Sequence, residues 1–402
     1  MSRVNDGIVI VGASAAGLST ADGLREGGYT GPLTVLDEEA EPGYDRPMLS
    51  KSLLAAKEHA TPAPLRTDEQ LAAKGIDLLA GHGAMGLDID RRLVVTNWGE
   101  AIGWRHVIVA TGVTARPMVT AGGTTLPTLR TRADLTAARQ LVTSARPVTL
   151  IGGGFIGLEV AAALRSHGVE VTLLAAAELP LAGSLGDEIA GWLHGLHLAN
   201  GVLFELGTAT ASVEETARGY DIHLADGRVR QATSVLAGIG AEPASDWLIG
   251  SGIELDHGVV TDAAGRTNVE GVWAAGDIAA RRDPLHGRRH RRFEHWTHAI
   301  EQGRRVGLNI ARGEATAYDA VPYVWTEQYG LTLHMLGERR PGDTDIVVEG
   351  SVSTGDFVVA HGAGNELHGA TICGRVRALR TYRKLLRARA SLTDALGAAA
   401  SA

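Results

Sequence analysis

Two glycine-rich turns constrain the fold of this chain more than any other feature. The first lies in "GIVIVGASAAG" (residues 7–17) and the second in "VTLIGGGFIGLEVA" (residues 148–161). In both, an apolar β-branched run breaks into glycines and a helix-like pattern follows, as in a dinucleotide-binding βαβ unit. One such turn is weak evidence, but two, each opening a helix after a strand, predict two nucleotide sites. The alternative is one long doubly wound sheet in which one glycine run is only a tight turn.

The second turn has the full glycine spacing. Gly152 is expected to make the turn, Gly154 to let the backbone approach a pyrophosphate, and Gly157 to let the helix lie close to the sheet. Phe155 and Ile156 stand at the start of that helix, where free N–H groups and the helix dipole favour phosphate. These five residues form the candidate contact set of the second site.

The first unit has the same order with a looser turn. The sequence predicts a strand over Gly7–Val11, a helix over Ala15–Gly27 and a strand over Leu33–Leu36. Ser14 stands where the middle glycine belongs, and its small side chain still allows close approach of a phosphate. The candidate contacts of this first site are Gly12, Ser14, Ala16 and Gly17.

An acid about 20 residues beyond each turn is expected to bind the ribose hydroxyls. The first unit supplies Asp37, Glu38 and Glu39. The second has Ala175 where the acid belongs, and Glu178, three residues later, is an alternative acid. An acid at that place would repel the 2′-phosphate of NADP and an arginine would bind it. Since the chain has neither there, the choice between NADH and NADPH stays open.

Composition narrows the class of protein. Glycine makes up 52 of the 402 residues, which fits many tight strand–helix turns, and the net charge of −8 argues against nucleic-acid binding. Cys373 is the single cysteine, so an intramolecular disulfide and a cysteine-rich metal site are excluded, and its role stays open. The histidines show no metal-binding spacing, and we assign no metal.

The N-terminus and the hydropathy indicate a compartment. No signal peptide precedes the first predicted strand, and no apolar stretch reaches the ~20 residues that a membrane span needs. With one cysteine, these features predict a reduced, cytoplasmic protein without membrane contact. Whether it is a monomer or a homodimer is not indicated.

Seven motifs, one of which contains the second glycine turn, resemble those of a known family and occur in the same order as in that family. The chain resembles the FAD-dependent NAD(P)H:ferredoxin reductases of oxygenase systems, of the putidaredoxin, rhodocoxin and biphenyl-dioxygenase reductase type, which share a fold with apoptosis-inducing factor. The motifs are "YDRPMLSK" (44–51), "ATGVTAR" (110–116), "GGGFIGLE" (152–159), "GIGAEP" (238–243), "AAGDIA" (274–279), "FEHWTHAIEQG" (293–303) and "VPYVWTEQYG" (321–330).

This resemblance implies an α/β fold of the glutathione-reductase type. It has two Rossmann-like dinucleotide-binding domains and an α+β C-terminal domain. The implied FAD-binding domain is discontinuous, over residues 1–112 and 244–319, with the NAD(P)H-binding domain over 113–243 and the C-terminal domain over 320–402. The first glycine turn would then hold FAD and the second NADH or NADPH, with the two nucleotides facing each other across a domain boundary.

The resemblance also assigns candidate catalytic residues. Lys51 would lie near flavin N5 and pair with Glu159 close to the nicotinamide, and Trp325 would flank both rings. Arg46 would line the flavin side, and Arg130 matches an FAD-contacting arginine. The ordinary alternatives are a solvated Lys–Glu bridge of about 0–1 kcal/mol and a tryptophan that only packs in a core.

Further cofactor contacts follow from the same motifs. Glu38 would bind the FAD ribose, and Asp277 would bind the ribityl chain or simply cap the following helix. The segment Glu294, His295 and Trp296 would approach the flavin ring. The remaining implied contacts are Ala110, Thr111, Gly112 and Gly276 on the FAD side, and Gly238, Ile239 and Gly240 on the NAD(P)H side.

A concentrated basic segment, "RRDPLHGRRHRR" (281–292), stands out on this acidic chain. We interpret it as a docking patch for an acidic 2Fe–2S ferredoxin, because opposite charges raise association rates. A solvated loop and arginines that bind FAD phosphates are the alternatives. The patch consists of Arg281, Arg282, Arg288, Arg289, Arg291 and Arg292. A second basic stretch, from about Val376, is interpreted as an amphipathic surface helix.

The predicted function is that of an NAD(P)H:ferredoxin oxidoreductase. It would pass hydride from NAD(P)H to FAD and then single electrons to a ferredoxin serving an oxygenase or cytochrome P450. A cysteine-dependent reductase or peroxidase is disfavoured, because residues 40–60 contain no cysteine. A redox-sensing, NADH-binding flavoprotein of the apoptosis-inducing-factor type remains an alternative.

Overall fold

The computed structural model describes residues 2–3, 7–57, 60–282 and 290–399. Its tertiary contacts divide the chain into two compact units, neither of which is continuous in sequence. Unit 1 comprises Met1–Asp45, Ala63–Thr114 and Glu242–Ala320, and unit 2 comprises Arg46–Pro62, Ala115–Ala241 and Val321–Ala402. The short strands Val113–Ala115 and Ala241–Pro243 lie at the chain crossings between them.

Unit 1 is built on a five-stranded, fully parallel sheet. Its central strands are short β-branched runs that are buried on both faces, as parallel sheets covered on both sides require. In strand Ile8–Val11, alternate side chains pack into two apolar cores on opposite faces of the sheet. Ile8 and Ile10 belong to one core, and Val9 and Val11 belong to the other. In spatial order the strands are Val272–Ala274, His106–Val109, Ile8–Val11, Leu33–Leu36 and Asp77–Leu79.

Two smaller sheets and three helices complete unit 1. One sheet contains, in spatial order, Ser2–Arg3, Ala101–Gly103, Leu93–Thr96 and Ala84–Asp88. The other contains Val259–Thr261, Ala279–Arg282 and His290–Arg291. The α-helices are Ala15–Glu26, Asp68–Ala73 and Trp296–Arg312, and the 3-10 turns are Asp246–Leu248 and Gly276–Ile278.

Glycines let two helices of unit 1 pack backbone to backbone. A Cβ added at Gly303 would lie 2.3 Å from the carbonyl oxygen of Ala16, and one at Gly307 would lie 2.2 Å from that of Thr20. Both distances are far below van der Waals contact, so helix Trp296–Arg312 tolerates no side chain at these positions. This contact fixes the helix that follows the first glycine turn.

Unit 2 contains the second βαβ unit. Its parallel sheet consists, in spatial order, of Val202–Leu206, Val171–Ala175, Val148–Ile151 and Ser234–Ala237. A three-stranded antiparallel sheet follows, made of Thr210–Thr216, Gly219–Leu224 and Val229–Ala232. The helices of this part are Ser52–Ala55, Arg132–Ser144, Phe155–Ser166, Ala182–Leu185 and Asp187–Ala199, with a 3-10 turn over Arg46–Leu49.

The C-terminal part of unit 2 is a five-stranded antiparallel sheet with two helices. The strands, in spatial order, are Tyr323–Gln328, Leu331–Gly337, Glu366–Cys373, Asp356–Ala363 and Thr344–Ser351. Helices Ala378–Arg387 and Leu392–Ala399 follow, and a 3-10 turn covers Val352–Thr354. Their apolar residues share one core, in which Tyr382 is fully buried.

The predicted fold class is confirmed. Both glycine turns connect a parallel strand to a helix, and the chain ends in an α+β part. The basic stretch from Val376 forms a helix over Ala378–Arg387. Among the residues described, no helix combines the length and the apolar character needed to cross a membrane.

The helix contact in unit 1 yields a test of the fold. We expect Gly307→Ala to destabilise the protein by about 3 kcal/mol, because the new methyl group must displace the backbone of the neighbouring helix. The matched control is Gly191→Ala on the exposed face of helix Asp187–Ala199, where an added Cβ meets no atom within 4 Å. There alanine should stabilise by about 0.5–1 kcal/mol. Equal melting temperatures for the two variants would contradict the packing described.

Candidate nucleotide sites and a buried ionic cluster

The first glycine turn has the geometry of a phosphate site. Gly12 has a φ of +108°, and a Cβ there would lie 2.3 Å from the carbonyl oxygen of Ala110. A Cβ at Gly17 would lie 1.8 Å from the carbonyl oxygen of Gly12. Ser14 caps helix Ala15–Glu26, whose first turn carries no acidic side chain. The N–H groups of that turn therefore suit a pyrophosphate, and the turn fits a dinucleotide.

The two acids beyond the first turn have different surroundings. Asp37 Oδ2 accepts a hydrogen bond from the backbone N–H of Ala13 at 3.1 Å, and Asp37 Oδ1 accepts one from that of Glu39 at 3.2 Å. Asp37 thus ties the glycine turn to the end of the neighbouring strand. Glu38, in contrast, is exposed.

The other predicted FAD contacts of unit 1 surround the same sheet. Thr111 Oγ1 donates to the carbonyl of Ala244 at 2.8 Å, directly after strand His106–Val109. The N–H of Gly276 donates to Oε1 of the buried Gln302 at 2.8 Å. Gln302 lies within the motif "FEHWTHAIEQG" but was not predicted as a site residue, because its partner Gly276 is 26 residues away. Ala110, Gly112 and Asp277 lie beside these residues in the chain, at the ends of the same strands.

The segment before helix Trp296–Arg312 is partly buried. His295 is the N-cap, and Trp296 packs against the core of unit 1. Burial, with a smaller effect of the nearby Arg291 charge, lowers the pKa of His295 to about 4. His295 is therefore neutral at pH 7, and Glu294 pairs with Arg292 at 3.0 Å.

Three arginines of the predicted docking patch have partners within unit 1. Arg281 and Arg291 each lie 5.0 Å from the ring centre of Phe293, and Arg281 also donates to the carbonyl of Tyr318. Arg292 donates to the carbonyl of Asp277 at 3.0 Å. Arg282 is exposed. Arg288 and Arg289 lie outside the described residues.

The second glycine turn, in unit 2, repeats the geometry of the first. Gly152 has a φ of +118°, and a Cβ there would lie 2.2 Å from the carbonyl oxygen of Gly238. A Cβ at Gly157 would lie 2.2 Å from the carbonyl oxygen of Gly152. A Cβ at Gly154, the N-cap of the helix, would meet no atom within 4 Å. The surface of this turn is open to a phosphate group.

Apolar side chains frame the open turn. Ile156 is 44% exposed and Ile239 is 37% exposed, an unusual exposure for isoleucine. Phe155, at the first position of the helix, is half-buried. Gly240 has a φ of +113°, and its carbonyl accepts a hydrogen bond from the backbone of Arg116. These residues fit the flat, partly apolar rings of a dinucleotide.

Ala175 ends its strand underneath the glycine turn. It is buried, and a Cβ built on Gly153 would lie 3.0 Å from its methyl group. Glu178 is exposed three residues later. The position beyond the second turn thus carries a small packing residue in place of an acid.

A buried ionic cluster lies in unit 2. Lys51 Nζ and Glu159 Oε2 are 2.9 Å apart, and their side chains are only 7% and 3% exposed. Lys51 is the N-cap of helix Ser52–Ala55, and Glu159 lies in the second turn of helix Phe155–Ser166. The pair is therefore not a solvated surface bridge. Removing one partner of such a buried pair typically costs 3–5 kcal/mol, since the other charge is left uncompensated.

Two hydroxyl groups complete the surroundings of Glu159. Ser50 Oγ donates to Glu159 Oε2 at 2.5 Å, and Thr326 Oγ1 donates to Glu159 Oε1 at 2.6 Å. Neither residue was predicted as part of the site. Thr326 lies in the motif "VPYVWTEQYG", but its partner Glu159 is 167 residues away in the sequence.

Three further candidate residues of unit 2 are Trp325, which lies beside Lys51, and Arg46 and Arg130, which contact each other. The ring centre of Trp325 is 5.9 Å from Lys51 Nζ, and its indole N–H donates to Glu327 Oε1 at 2.9 Å. Arg46 donates to the carbonyl of Arg130 at 2.9 Å, so these two predicted flavin contacts lie together.

Cys373 is buried in strand Glu366–Cys373. Burial, with a smaller effect of the Asp356 charge, raises the pKa of its thiol to about 11. At pH 7 it is an unreactive thiol, since the thiolate is the reacting form. In the part of the chain that the structure describes, no cluster of three or more histidine, cysteine or acidic side chains could hold a metal ion.

Comparisons with known proteins agree with this geometry. The chain matches the pyridine nucleotide-disulphide oxidoreductase family over residues 6–303 and the reductase C-terminal family over residues 323–402. It is 34% identical over 355 residues to the benzene 1,2-dioxygenase system ferredoxin–NAD(+) reductase subunit of Pseudomonas putida, covering 88% of this chain and 85% of that one. It is 33% identical over 391 residues to rhodocoxin reductase of Rhodococcus erythropolis, covering 96% and 90%.

A solved structure shows the same fold over nearly the whole chain. The crystal structure of the covalent putidaredoxin reductase–putidaredoxin complex superimposes with a TM-score of 0.87 and 31% identity, covering 96% of this chain and 94% of that one. The protein is thus an oxidoreductase that uses FAD and NAD(H). It belongs to the pyridine nucleotide-disulphide oxidoreductase family, and the predicted resemblance to ferredoxin reductases is confirmed.

The helix that follows the Glu294–Trp296 segment generates a pH prediction. Burial, with a smaller effect of the Arg281 charge, lowers the pKa of His298 from its ordinary value of 6.5 to about 3. Between about pH 6.5 and 4 the unfolded chain binds a proton that the folded chain does not, so stability should fall as the pH falls. The His298→Phe variant keeps a ring that can stack on Phe293 but has no group to protonate there. Its free energy of unfolding should therefore fall less steeply as the pH falls, by up to about 1.4 kcal/mol per pH unit.

Melting temperatures measured from neutral to acidic pH test this expectation. The control is His257→Asn, because the His257 side chain is 90% exposed and asparagine tolerates its positive φ. A slope in His298→Phe as steep as in the unsubstituted protein would show that His298 does not stay neutral in the fold.

Proposed function

We propose that this protein is an NAD(P)H:ferredoxin oxidoreductase, which passes hydride from NAD(P)H to FAD and single electrons to a 2Fe–2S ferredoxin of an oxygenase or cytochrome P450. The presence of two dinucleotide turns in one chain, each opening a helix after a parallel strand, carries the proposal. Bound FAD supplies the exchange between a hydride donor and a one-electron acceptor. The buried, unreactive Cys373 leaves disulphide chemistry without a nucleophile.

We propose that different parts of the chain bind the two nucleotides, with the ranges expected from the sequence. Residues 1–112 and 244–319 would bind FAD, residues 113–243 would bind NAD(P)H, and residues 320–402 would form the C-terminal domain. Contacts from unit 1 to FAD would come from the first glycine turn, Glu38, and the segments around Thr111, Asp277 and Trp296. Contacts to NAD(P)H would come from the second glycine turn and Gly238, Ile239 and Gly240.

We assign the reacting centre to Lys51, Glu159 and Trp325. A lysine ammonium beside a flavin stabilises the negative charge that the ring gains on reduction. Glu159 keeps that lysine paired while it is buried, and the indole of Trp325 provides a flat apolar wall beside the ammonium. Arg46 and Arg130 would add positive charge on the flavin side.

The proposed partner is an acidic ferredoxin. The names of two related proteins give a ferredoxin and putidaredoxin as theirs, and the basic charge of the patch favours an acidic one. The basic patch from Arg281 to Arg292 is the proposed docking surface. Arg281, Arg291 and Arg292 also have partners within unit 1, so exchanging them would change folding contacts as well as docking. The docking test therefore uses the exposed Arg282 together with Arg288 and Arg289.

Lys51→Met tests the assignment of the reacting centre. Methionine keeps the length of the side chain without its charge, so we expect FAD to be retained and flavin reduction to slow roughly 10- to 100-fold. Anaerobic stopped-flow mixing with NADH and with NADPH measures the rate constant and the nucleotide Kd separately. The control is Lys57→Met, at an exposed lysine six positions on. Equal rate constants of flavin reduction in the two variants would contradict the assignment of Lys51 to the flavin.

The docking assignment is tested through the salt dependence of electron transfer to ferredoxin. We expect the combined change Arg282→Gln, Arg288→Gln and Arg289→Gln to lower the association rate at low salt by roughly tenfold and to flatten its salt dependence. Flavin reduction by NADH should be unchanged.

The comparison variant neutralises the C-terminal basic helix through Arg380→Gln and Arg387→Gln. Loss of the salt dependence in this variant, with none lost in the first, would move the docking surface from the proposed patch to that helix. A protein that forms a long-lived reduced state and passes electrons to no ferredoxin would instead support the redox-sensing alternative.

A further inference from the structure

The hydrogen bonds around Glu159 continue as a buried chain through unit 2. Thr326 Oγ1 accepts a hydrogen bond from Gln328 Nε2 at 3.0 Å, and Gln328 Oε1 lies 2.6 Å from His197 Nε2. His197 Nδ1 lies 2.9 Å from the hydroxyl of Tyr329. Thr326, Gln328 and His197 are almost completely buried, and they come from two elements far apart in sequence.

Strand geometry explains why these groups meet. In strand Tyr323–Gln328 alternate side chains point to opposite faces, so Thr326 and Gln328 share the buried face. The face with Thr326 and Gln328 meets Glu159 and His197 on two different helices. One strand thus links the ionic cluster to a histidine that no motif singles out.

The direction of every hydrogen bond in this series, from Tyr329 to Glu159, follows from the state of the Glu159 carboxylate. A carboxylate paired with Lys51 can only accept, so the single hydroxyl proton of Thr326 goes to Glu159. Gln328 must then donate through its amide nitrogen to Thr326, which turns its oxygen towards His197. That oxygen requires a proton on His197 Nε2. Every donor in the chain therefore points towards Glu159.

The state of His197 agrees with this direction. Burial lowers the pKa of His197 to about 4, against a smaller raising effect of the hydrogen bond with Gln328. The imidazole is neutral at pH 7, with one N–H and one acceptor nitrogen. With the proton on Nε2, Nδ1 accepts from Tyr329, whose hydroxyl ends the chain.

Tyr329 has a backbone conformation that needs an explanation. With Gly330 it forms the two-residue turn between strands Tyr323–Gln328 and Leu331–Gly337, and both residues have positive φ, of 51° and 77°. Asparagine, aspartate or glycine is usual at such a position, and a bulky aromatic residue is an outlier. The bond from the Tyr329 hydroxyl to His197 gives this tyrosine a role that asparagine could not fill.

We propose that Gln328, His197 and Tyr329 are positioning residues, which hold the Glu159 carboxylate in the one orientation that places Lys51 for flavin reduction. The inference rests on the proposed function and adds a named set of residues to it. The chain is not a proton conduit, because an amide passes a proton only by converting to its imidic acid form. Its contribution is a fixed direction of hydrogen bonding and a fixed rotamer of Glu159.

Three variants break the chain at different points, and one repairs it. Gln328→Met keeps the volume but neither donates nor accepts, His197→Phe removes both ring nitrogens, and Tyr329→Phe removes one hydroxyl. His197→Gln retains an amide donor near the position of Nε2. The control is His194→Phe, one turn earlier on the same helix and outside the chain, where the ring packs on Phe204.

The holoenzyme variants are compared by anaerobic stopped-flow mixing with NADH. We expect Gln328→Met and His197→Phe to lower the rate constant of flavin reduction by roughly tenfold, with the NADH Kd unchanged, because a misplaced group costs rate more than binding. His197→Gln should recover most of the rate, and Tyr329→Phe should lose less than His197→Phe. His194→Phe should react like the unsubstituted protein.

A second readout does not depend on turnover. Nitrogen-15 NMR of histidine-labelled protein should show His197 as the neutral tautomer protonated on Nε2, assigned by the loss of its signals in His197→Gln. The Nδ1 resonance should shift in Tyr329→Phe. A tautomer protonated on Nδ1 would overturn the proposed direction of the chain.

The outcomes separate this inference from the function on which it rests. A slow Lys51→Met together with Gln328→Met and His197→Phe that match His194→Phe would overturn the inference alone. A Lys51→Met variant that reduces its flavin at the normal rate would overturn the role of the ionic cluster and the inference with it. If the buried substitutions prevent folding, Tyr329→Phe decides the question, since an unchanged rate and tautomer there would contradict the proposal.

Discussion

The ion pair between Lys51 and Glu159 is the interaction on which this account depends. Two charges buried at 2.9 Å are stable only if the remaining hydrogen-bonding capacity of the carboxylate is filled, and Ser50 and Thr326 fill it. Stability alone does not explain why the pair is buried, because apolar residues of similar volume often stabilise a protein as much as a buried ion pair does. The proposed role of Lys51, a charge held beside the flavin ring, would explain why the pair is buried.

The scaffold makes this cluster possible by allowing backbones to approach closely. At both nucleotide turns the first and last glycines lie where an added Cβ would fall within 2.3 Å of a carbonyl oxygen. The same constraint that frees the helix N-terminus for phosphate also fixes the helix axis. In unit 2 that helix carries Glu159, so the glycine turn and the ionic cluster are parts of one rigid element.

The sequence predicts the elements well where their signals are local. The expected strand Gly7–Val11 is found as Ile8–Val11 and the helix Ala15–Gly27 as Ala15–Glu26, because glycine spacing and apolar runs act over a few residues. The series of hydrogen bonds that links Glu159 to Tyr329 was not predicted. Glutamine, threonine and tyrosine are common residues, and only the fold brings these side chains within hydrogen-bonding distance. The long-range partners of Asp37 and Gln302 were missed for the same reason.

The central claim is that one chain holds two dinucleotides and moves charge from the exchangeable one to the bound one. Anaerobic titration of the purified protein with NADH, followed by its visible absorbance, tests this most directly. The account predicts a yellow protein that is bleached by a stoichiometric amount of NADH and regains its colour when oxidised 2Fe–2S ferredoxin is added. A folded protein that remains colourless after incubation with FAD would contradict it.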